Sequence, residues 1–211
     1  MLQFNTLNDV RLYFATPVVH RVWPDASRHN AALKALIEEK RRDSPGVKIS
    51  NYGGWQSKDD FLSWGGDSVA ALSQWWYASV MHIYQSLHGP EFTNLAARHD
   101  NQLQWKATAW ANINGRGDWN STHNHAASHW SGVYYVQVPP NPGHLAILDP
   151  RPNINMMDTG SDLLDIFRQA PLHVEPHEGL TVIFPSWLQH QVTTQESDDE
   201  RISIAVNLRF L

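Results

Sequence analysis

Two histidines separated by one residue, His123 and His125, stand just before the apolar run Ser131-Gly132-Val133-Tyr134-Tyr135-Val136. In an extended chain residues i and i+2 point to the same side, so both imidazoles can converge on one ion. A third, His190, ends the segment Phe184-Pro185-Ser186-Trp187-Leu188-Gln189-His190, and Arg201-Ile202-Ser203 follows 11 residues later. Imidazole suits Fe(II), and three facial ligands leave three positions open on the ion. The keto and C1-carboxylate oxygens of 2-oxoglutarate would take two of them and oxygen the last. The far carboxylate of 2-oxoglutarate then needs a cation. The planar fork of Arg201, assisted by the Ser203 hydroxyl on the same strand face, can supply it. Ile202, Ile204 and Val206 would point the other way and pack against helices. Asn112, on the strand before the histidine pair, is a further candidate for contact with 2-oxoglutarate.

The pair alone is a weak signal, because a polar loop often carries histidines. The set of His-x-His, a distant His and Arg-x-Ser is far more specific than any member. A frame using His125 and His129 is disfavoured, since a four-residue step in an extended chain spans about 13 Å. The chain has no Cys, which removes thiolate ligands, a Cys nucleophile and disulfides together. Any metal must therefore sit on His and carboxylate.

These residues need elements to carry them. Asp25 and Ser27 offer N-caps for a helix running to about Arg42, with Ala32, Leu33, Leu36 and Ile37 on one face. Asp67 offers a cap for a second helix in which Val69, Leu72, Trp76, Val80, Ile83 and Leu87 recur at three- and four-residue steps, ended by Gly89-Pro90. From about Gln104 the period changes to 2, with short runs at Trp105 to Ile113, Gly132 to Val138, Leu145 to Asp149, Leu180 to Phe184 and Arg201 to Phe210. That pattern predicts a mainly β fold, a barrel or sandwich buttressed by N-terminal helices. One domain over 1–211 is expected, with 1–100 as helical flank and leading strands and 101–211 as barrel core. The stretch Pro152 to Gly179 is too long for a hairpin loop; it holds a candidate short helix, Ser161 to Gln169, and a Met156-Met157 pair that is either packing or part of a lid. Gly53-Gly54 reads as a turn.

With 16 Lys and Arg against 21 Asp and Glu, the net charge of −5 argues against a nucleic-acid or anionic-membrane partner. The basic run Lys40-Arg41-Arg42 reads as a solvated helix end. Asn5, Asn8, Asp9 and Arg11 interrupt the apolar residues of the opening stretch, so neither a secretory leader nor a span is expected there, and the chain is read as cytoplasmic. A homodimer is compatible with the sequence, which leaves oligomeric state open.

From Asn51 to the C-terminus the motifs resemble a known family. Asn51-Tyr52-Gly53-Gly54-Trp55-Gln56-Ser57, the His-x-His followed by Ser-Gly-Val-Tyr-Tyr-Val, Asp149-Pro150-Arg151, Phe184-Pro185-Ser186-Trp187-Leu188-x-His190 and Arg201-Ile202-Ser203-Ile204 are similar to the bacterial and phage 2-oxoglutarate/Fe(II) oxygenases. The resemblance implies a double-stranded β-helix with metal at its open end, His190 as distal ligand and Arg201 binding 2-oxoglutarate. Similarity to prolyl hydroxylases in the Tyr-Tyr strand implies that Tyr135 hydrogen-bonds the C5 carboxylate. Most of the wider superfamily carries His-x-Asp or His-x-Glu, whereas this chain has His-Asn-His. Three ligand sets stay open: His123, His125 and His190; a set with Asp149 in place of one histidine; or two histidines completed by water. The implied function is a dioxygenase that hydroxylates an unidentified small molecule or peptide and releases succinate and CO2. The alternatives are a cupin-like metal-binding jelly roll and a three-histidine dioxygenase that does not use 2-oxoglutarate. Trp110, Trp119, Trp130 and Trp187 are expected chiefly as core.

Overall fold

The computed structural model describes residues 15–89, 91, 104–152 and 171–211. Among them, strands β1 (Val19–Val22), β2 (Asn51–Tyr52), β3 (Trp55–Gln56), β4 (Trp105–Asn114), β5 (Trp119–His123), β6 (Trp130–Gln137), β7 (Leu145–Ile147), β8 (Leu172–Val174), β9 (Leu180–Pro185), β10 (His190–Val192) and β11 (Arg201–Phe210) form two antiparallel sheets. One sheet runs β1-β9-β6-β11-β4-β3 and the other β2-β5-β10-β7-β8. They face each other as the two walls of a double-stranded β-helix. Helices α1 (Ala26–Asp43) and α2 (Asp67–His88) cover the outer face of the six-stranded sheet.

Strict alternation in β11 and β4 is what builds this layering. Ile202, Ile204, Val206 and Leu208, with Ala109, Ala111 and Ile113 of β4, turn outward into one apolar cluster with Leu33 and Ile37 of α1 and Leu72, Trp76 and Val80 of α2. Each fully buried side chain of this size contributes about 1.5–3 kcal/mol, and both helices are anchored by this stripe. The residues between face the space between the sheets, where Leu145, Ile147, Val174, Leu180, Phe184 and Leu188 make a second cluster.

Asp25 stands at the start of α1 without a side-chain cap bond, and Ser27 lies inside the helix. Gly66 precedes α2, so Asp67 is its first residue, where a carboxylate meets the positive end of the helix dipole. The apolar stripe of α2 ends at Ile83, and Leu87 is exposed. Gly53 and Gly54 form the expected turn with φ of 71° and 61°, and it carries the chain from the five-stranded sheet to the six-stranded one. A Cβ on Gly53 would lie 1.9 Å from Asp118 Oδ1, so only glycine passes. Arg41 pairs with Glu200, and Lys40 lies over the Trp64 ring, at the solvated end of α1. The candidate helix Ser161 to Gln169 and the Met156-Met157 pair lie outside the described residues.

Candidate functional site

Directly opposed residues of paired strands share a face, so the inner wall of the six-stranded sheet reads as four rows. The first joins Asn114 to Arg201; the second joins Gln56, Asn112, Ser203 and Tyr135 across four strands. The third joins Trp110, Ala205 and Val133, and the fourth Thr108, Asn207, Ser131 and Phe184. These rows, Ser131 apart, line a cavity of about 640 Å³ together with His123, His125 and His190 from the opposite wall.

The register of the five-stranded sheet brings the histidines together. His190, at the start of β10, is the cross-strand partner of His123, at the end of β5. His125 follows the strand and is held by its backbone N–H, which donates to the Ser186 carbonyl at 2.9 Å. One ring nitrogen from each of the three lies within 4.8 Å of the others, a set that could hold a metal ion. His123 Nδ1 sits 2.7 Å from the Ser121 carbonyl and His190 Nδ1 3.0 Å from the Leu188 carbonyl. A carbonyl oxygen can only accept, so each Nδ1 carries the proton and each Nε2 keeps its lone pair for an ion. Burial pushes His190 down to about 3, with the His123 charge adding to it, and His125 down to about 4, again helped by His123. Burial lowers His123 as well, against its bond to Ser121. All three are therefore neutral at physiological pH, as metal ligation requires. Trp110 packs 5.5 Å from His125 and Phe184 4.7 Å from His190, measured between ring centroids.

Arg201 is only 3% exposed. Its Nη1 donates to the Gly143 carbonyl at 2.6 Å and its Nη2 to Asn114 Oδ1 at 3.0 Å, while Nε is buried without a partner. Both acceptors are neutral, and no carboxylate among the described residues forms an ion pair with the guanidinium. A buried cation with an open donor calls for an anion. Tyr135 lies in the adjacent row, its phenol pushed up to about 12 by burial against the pull of Arg201, so it stays protonated and able to donate. The Ser203 hydroxyl, 5% exposed as a residue, lines the same end of the cavity. This donor set fits the far carboxylate of a keto diacid.

Of the residues singled out in the sequence, His123, His125, His190, Arg201, Ser203, Tyr135 and Asn112 all line one cavity. Asp149, the alternative ligand, does not join them. Its carboxylate is engaged by Arg151, whose Nε donates to Oδ1 at 3.0 Å and to Oδ2 at 3.2 Å, and it is absent from the cavity wall. His129 is also apart; its Nδ1 accepts the Phe210 backbone N–H at 3.1 Å. Sequence reasoning missed Asn114 and Gly143. The signal for Asn114 was present, since it lies two residues after Asn112 and therefore on the same strand face. Of the four tryptophans expected as core, Trp130 is core, Trp110 lines the cavity, and Trp119 and Trp187 are exposed. No described helix is long and apolar enough to cross a membrane.

Comparison with known proteins adds to this geometry. Residues 108–207, which hold every cavity histidine and the Arg201 end, match the family model described as "Putative 2OG-Fe(II) oxygenase". None of the curated protein sequences compared matches the chain significantly. Among solved structures, a Pseudomonas putida prolyl-4-hydroxylase superposes with a TM-score of 0.61 at 14% identity over 92% of each chain. A 2OG-Fe(II) oxygenase family oxidoreductase from Burkholderia pseudomallei gives 0.56 at 14% identity over 91% of this chain and 85% of that one. The α-ketoglutarate-dependent epimerase SnoN of nogalamycin biosynthesis gives 0.58 at 13% identity over 92% and 78%. These likenesses show the shared fold. The family match, over the stretch that carries the site, is to enzymes that use iron and 2-oxoglutarate.

Proposed function

We propose that this protein is a 2OG-Fe(II) oxygenase that hydroxylates a carbon of a small-molecule or peptide substrate, converting R–H, O2 and 2-oxoglutarate to R–OH, succinate and CO2. Fe(II) and 2-oxoglutarate, when bound, supply the reduction of oxygen, with the keto acid giving up two electrons on loss of CO2. His123, His125 and His190 hold the iron through neutral imidazoles. Arg201 binds the C5 carboxylate through its charge and its free Nε, Ser203 and Tyr135 donate hydroxyl hydrogen bonds to the same group, and Asn112 contacts the body of the cosubstrate. The apolar row of Trp110, Ala205 and Val133 keeps water from the space beside the histidines. On the far side of that row from Arg201, Thr108 and Asn207 give the substrate a polar wall.

The observation that carries this proposal is the buried, carboxylate-free Arg201 in the same cavity as the three histidines. Its test is an anaerobic titration of the Fe(II)-loaded protein with 2-oxoglutarate. Bidentate chelation by a keto acid produces a visible charge-transfer band, which neither a plain metal-binding jelly roll nor a dioxygenase independent of 2-oxoglutarate should show. Absence of the band at saturating 2-oxoglutarate would rule the proposal out. The chemical outcome is then read by mass spectrometry of substrate pools, where hydroxylation adds one oxygen atom and epimerisation or ring closure does not.

A further inference from the structure

We propose that Asn114 is a positioning residue that keeps Arg201 uncompensated, holding the guanidinium with a neutral oxygen so that the incoming carboxylate is its first counter-ion. The inference rests on the assignment of Arg201 to 2-oxoglutarate and deepens it.

Asn114 and Arg201 are direct cross-strand partners in the pairing of β4 with β11, and their side chains are 2% and 3% exposed. The Nη2 to Oδ1 bond of 3.0 Å fixes one corner of the guanidinium, and the Gly143 carbonyl at 2.6 Å fixes another. Gly143 packs there without a side chain: a Cβ would lie 2.2 Å from the Thr193 carbonyl oxygen and 3.3 Å from Arg201 Nη1. The two contacts define the plane of the fork and leave Nε without a partner. The nearby acidic group is diverted. The charge of Asp118 acts on Arg201 through space, but its Oδ2 accepts the Gly115 backbone N–H at 2.7 Å and makes no ion pair with Arg201. Tyr135 contributes a protonated phenol.

An aspartate at position 114 would have almost the shape of asparagine and would accept the same hydrogen bond more strongly. It would also satisfy the charge of Arg201 within the protein. A buried cation held only by neutral acceptors is unfavourable in the ligand-free state, so asparagine here sacrifices stability and keeps the electrostatic attraction for the ligand. The amide is thus the choice that binds a dicarboxylate, and aspartate the choice that stabilises the empty protein.

The experiment compares wild type, Asn114→Asp, Asn114→Ser and Arg201→Ala. The affinity for 2-oxoglutarate is measured by calorimetry on the Fe(II)-loaded protein without oxygen, and Tm is measured on the metal-free, ligand-free protein. Asn114→Asp is expected to weaken 2-oxoglutarate binding about tenfold or more and to raise Tm. Asn114→Ser, which loosens the fork without neutralising it, is expected to weaken binding and not raise Tm. Unchanged affinity in Asn114→Asp, or lost affinity with a lowered Tm, overturns the inference. If Arg201→Ala binds 2-oxoglutarate as wild type does, the cosubstrate assignment itself fails; if Arg201→Ala loses binding and Asn114→Asp keeps it, only the role of Asn114 fails.

Discussion

His190 stands directly across from His123 in the pairing of β10 with β5, with ring centroids 4.3 Å apart. Two strand ends, 67 residues distant in the chain, thus meet as one pair that could hold a metal ion (190 − 123). His125 completes the group from the segment after β5, so backbone pairing positions two of the three rings and the Ser186 carbonyl positions the third.

Removing either of the paired rings should empty the site. His123→Ala and His190→Ala are each expected to lose iron stoichiometry, whereas His129→Ala keeps it, because its ring accepts the Phe210 N–H outside the cavity. Metal analysis of the purified variants decides. A full site in His123→Ala with an empty one in His129→Ala would show that the register of ligands is different.

His125 stands where most of the superfamily has a carboxylate. Three neutral imidazoles leave the metal at +2, and a 2-oxoglutarate dianion brings the first shell to about zero, where a two-histidine, one-carboxylate set would reach about −1. His125→Asp should retain iron and weaken the cosubstrate through the added negative charge; His125→Ala should lower metal affinity. Competition against a coloured chelator measures both. Undiminished iron affinity in His125→Ala would mean that His125 is not a ligand.

Arg201→Ala is expected to weaken 2-oxoglutarate by about 1.5–3 kcal/mol or more, the range for hydrogen bonds to charged groups. Iron content should stay near wild type, since the guanidinium is held by Asn114 and Gly143 and not by the histidines. Parallel titration of cosubstrate and metal tests the split. Equal loss of both would point to collapse of the cavity.

The metal-free protein should be acid-sensitive in a particular window. In the unfolded chain an imidazole titrates near about 6.5, whereas burial holds His190 at about 3 in the fold. Below about pH 6.5 the unfolded chain takes up a proton that the folded one refuses, so stability falls as pH drops toward the folded value. For His190 alone the loss near pH 4.5 is on the order of 2–3 kcal/mol. Urea unfolding of wild type and His190→Gln at neutral pH and near pH 4.5 should show a shallower pH dependence in the variant. Parallel curves would contradict the assignment.

Much of this fold was legible because period and burial coincide. The switch from the 3.6-residue stripe of α2 to the alternation of β4 and β11 marks the helix layer and the wall it covers. The inward face of Arg201 and Ser203 and the outward face of Ile202, Ile204 and Val206 followed from that alternation. Short edge pieces were not legible: β1 lies within an apparently helical third, and β2 and β3 are two residues each, too short to show a period. At the site, residues of distinctive chemistry were found and supporting ones were not. Asn114 is an ordinary strand-end amide until its partner across the ladder is known, and Gly143 acts through a carbonyl, which no residue type announces. Asp149, left open as an alternative ligand, faces Arg151 two positions away and lies outside the cavity wall.

The four rows of the cavity wall have a metric consequence. Successive rows along β11 are separated by about 7 Å, because two residues of antiparallel strand rise that far. Arg201 belongs to the first row, and the imidazoles lie beside Trp110 and Phe184 of the third and fourth. The offset between the guanidinium end and the histidine end follows strand register, with the fork pinned by Asn114 and Gly143, and the wall works as a length gauge. A keto diacid of another length would meet the two ends less well. Oxaloacetate and 2-oxoadipate should accordingly compete poorly against 2-oxoglutarate in calorimetric displacement. Comparable affinity for all three would mean that the gauge is slack.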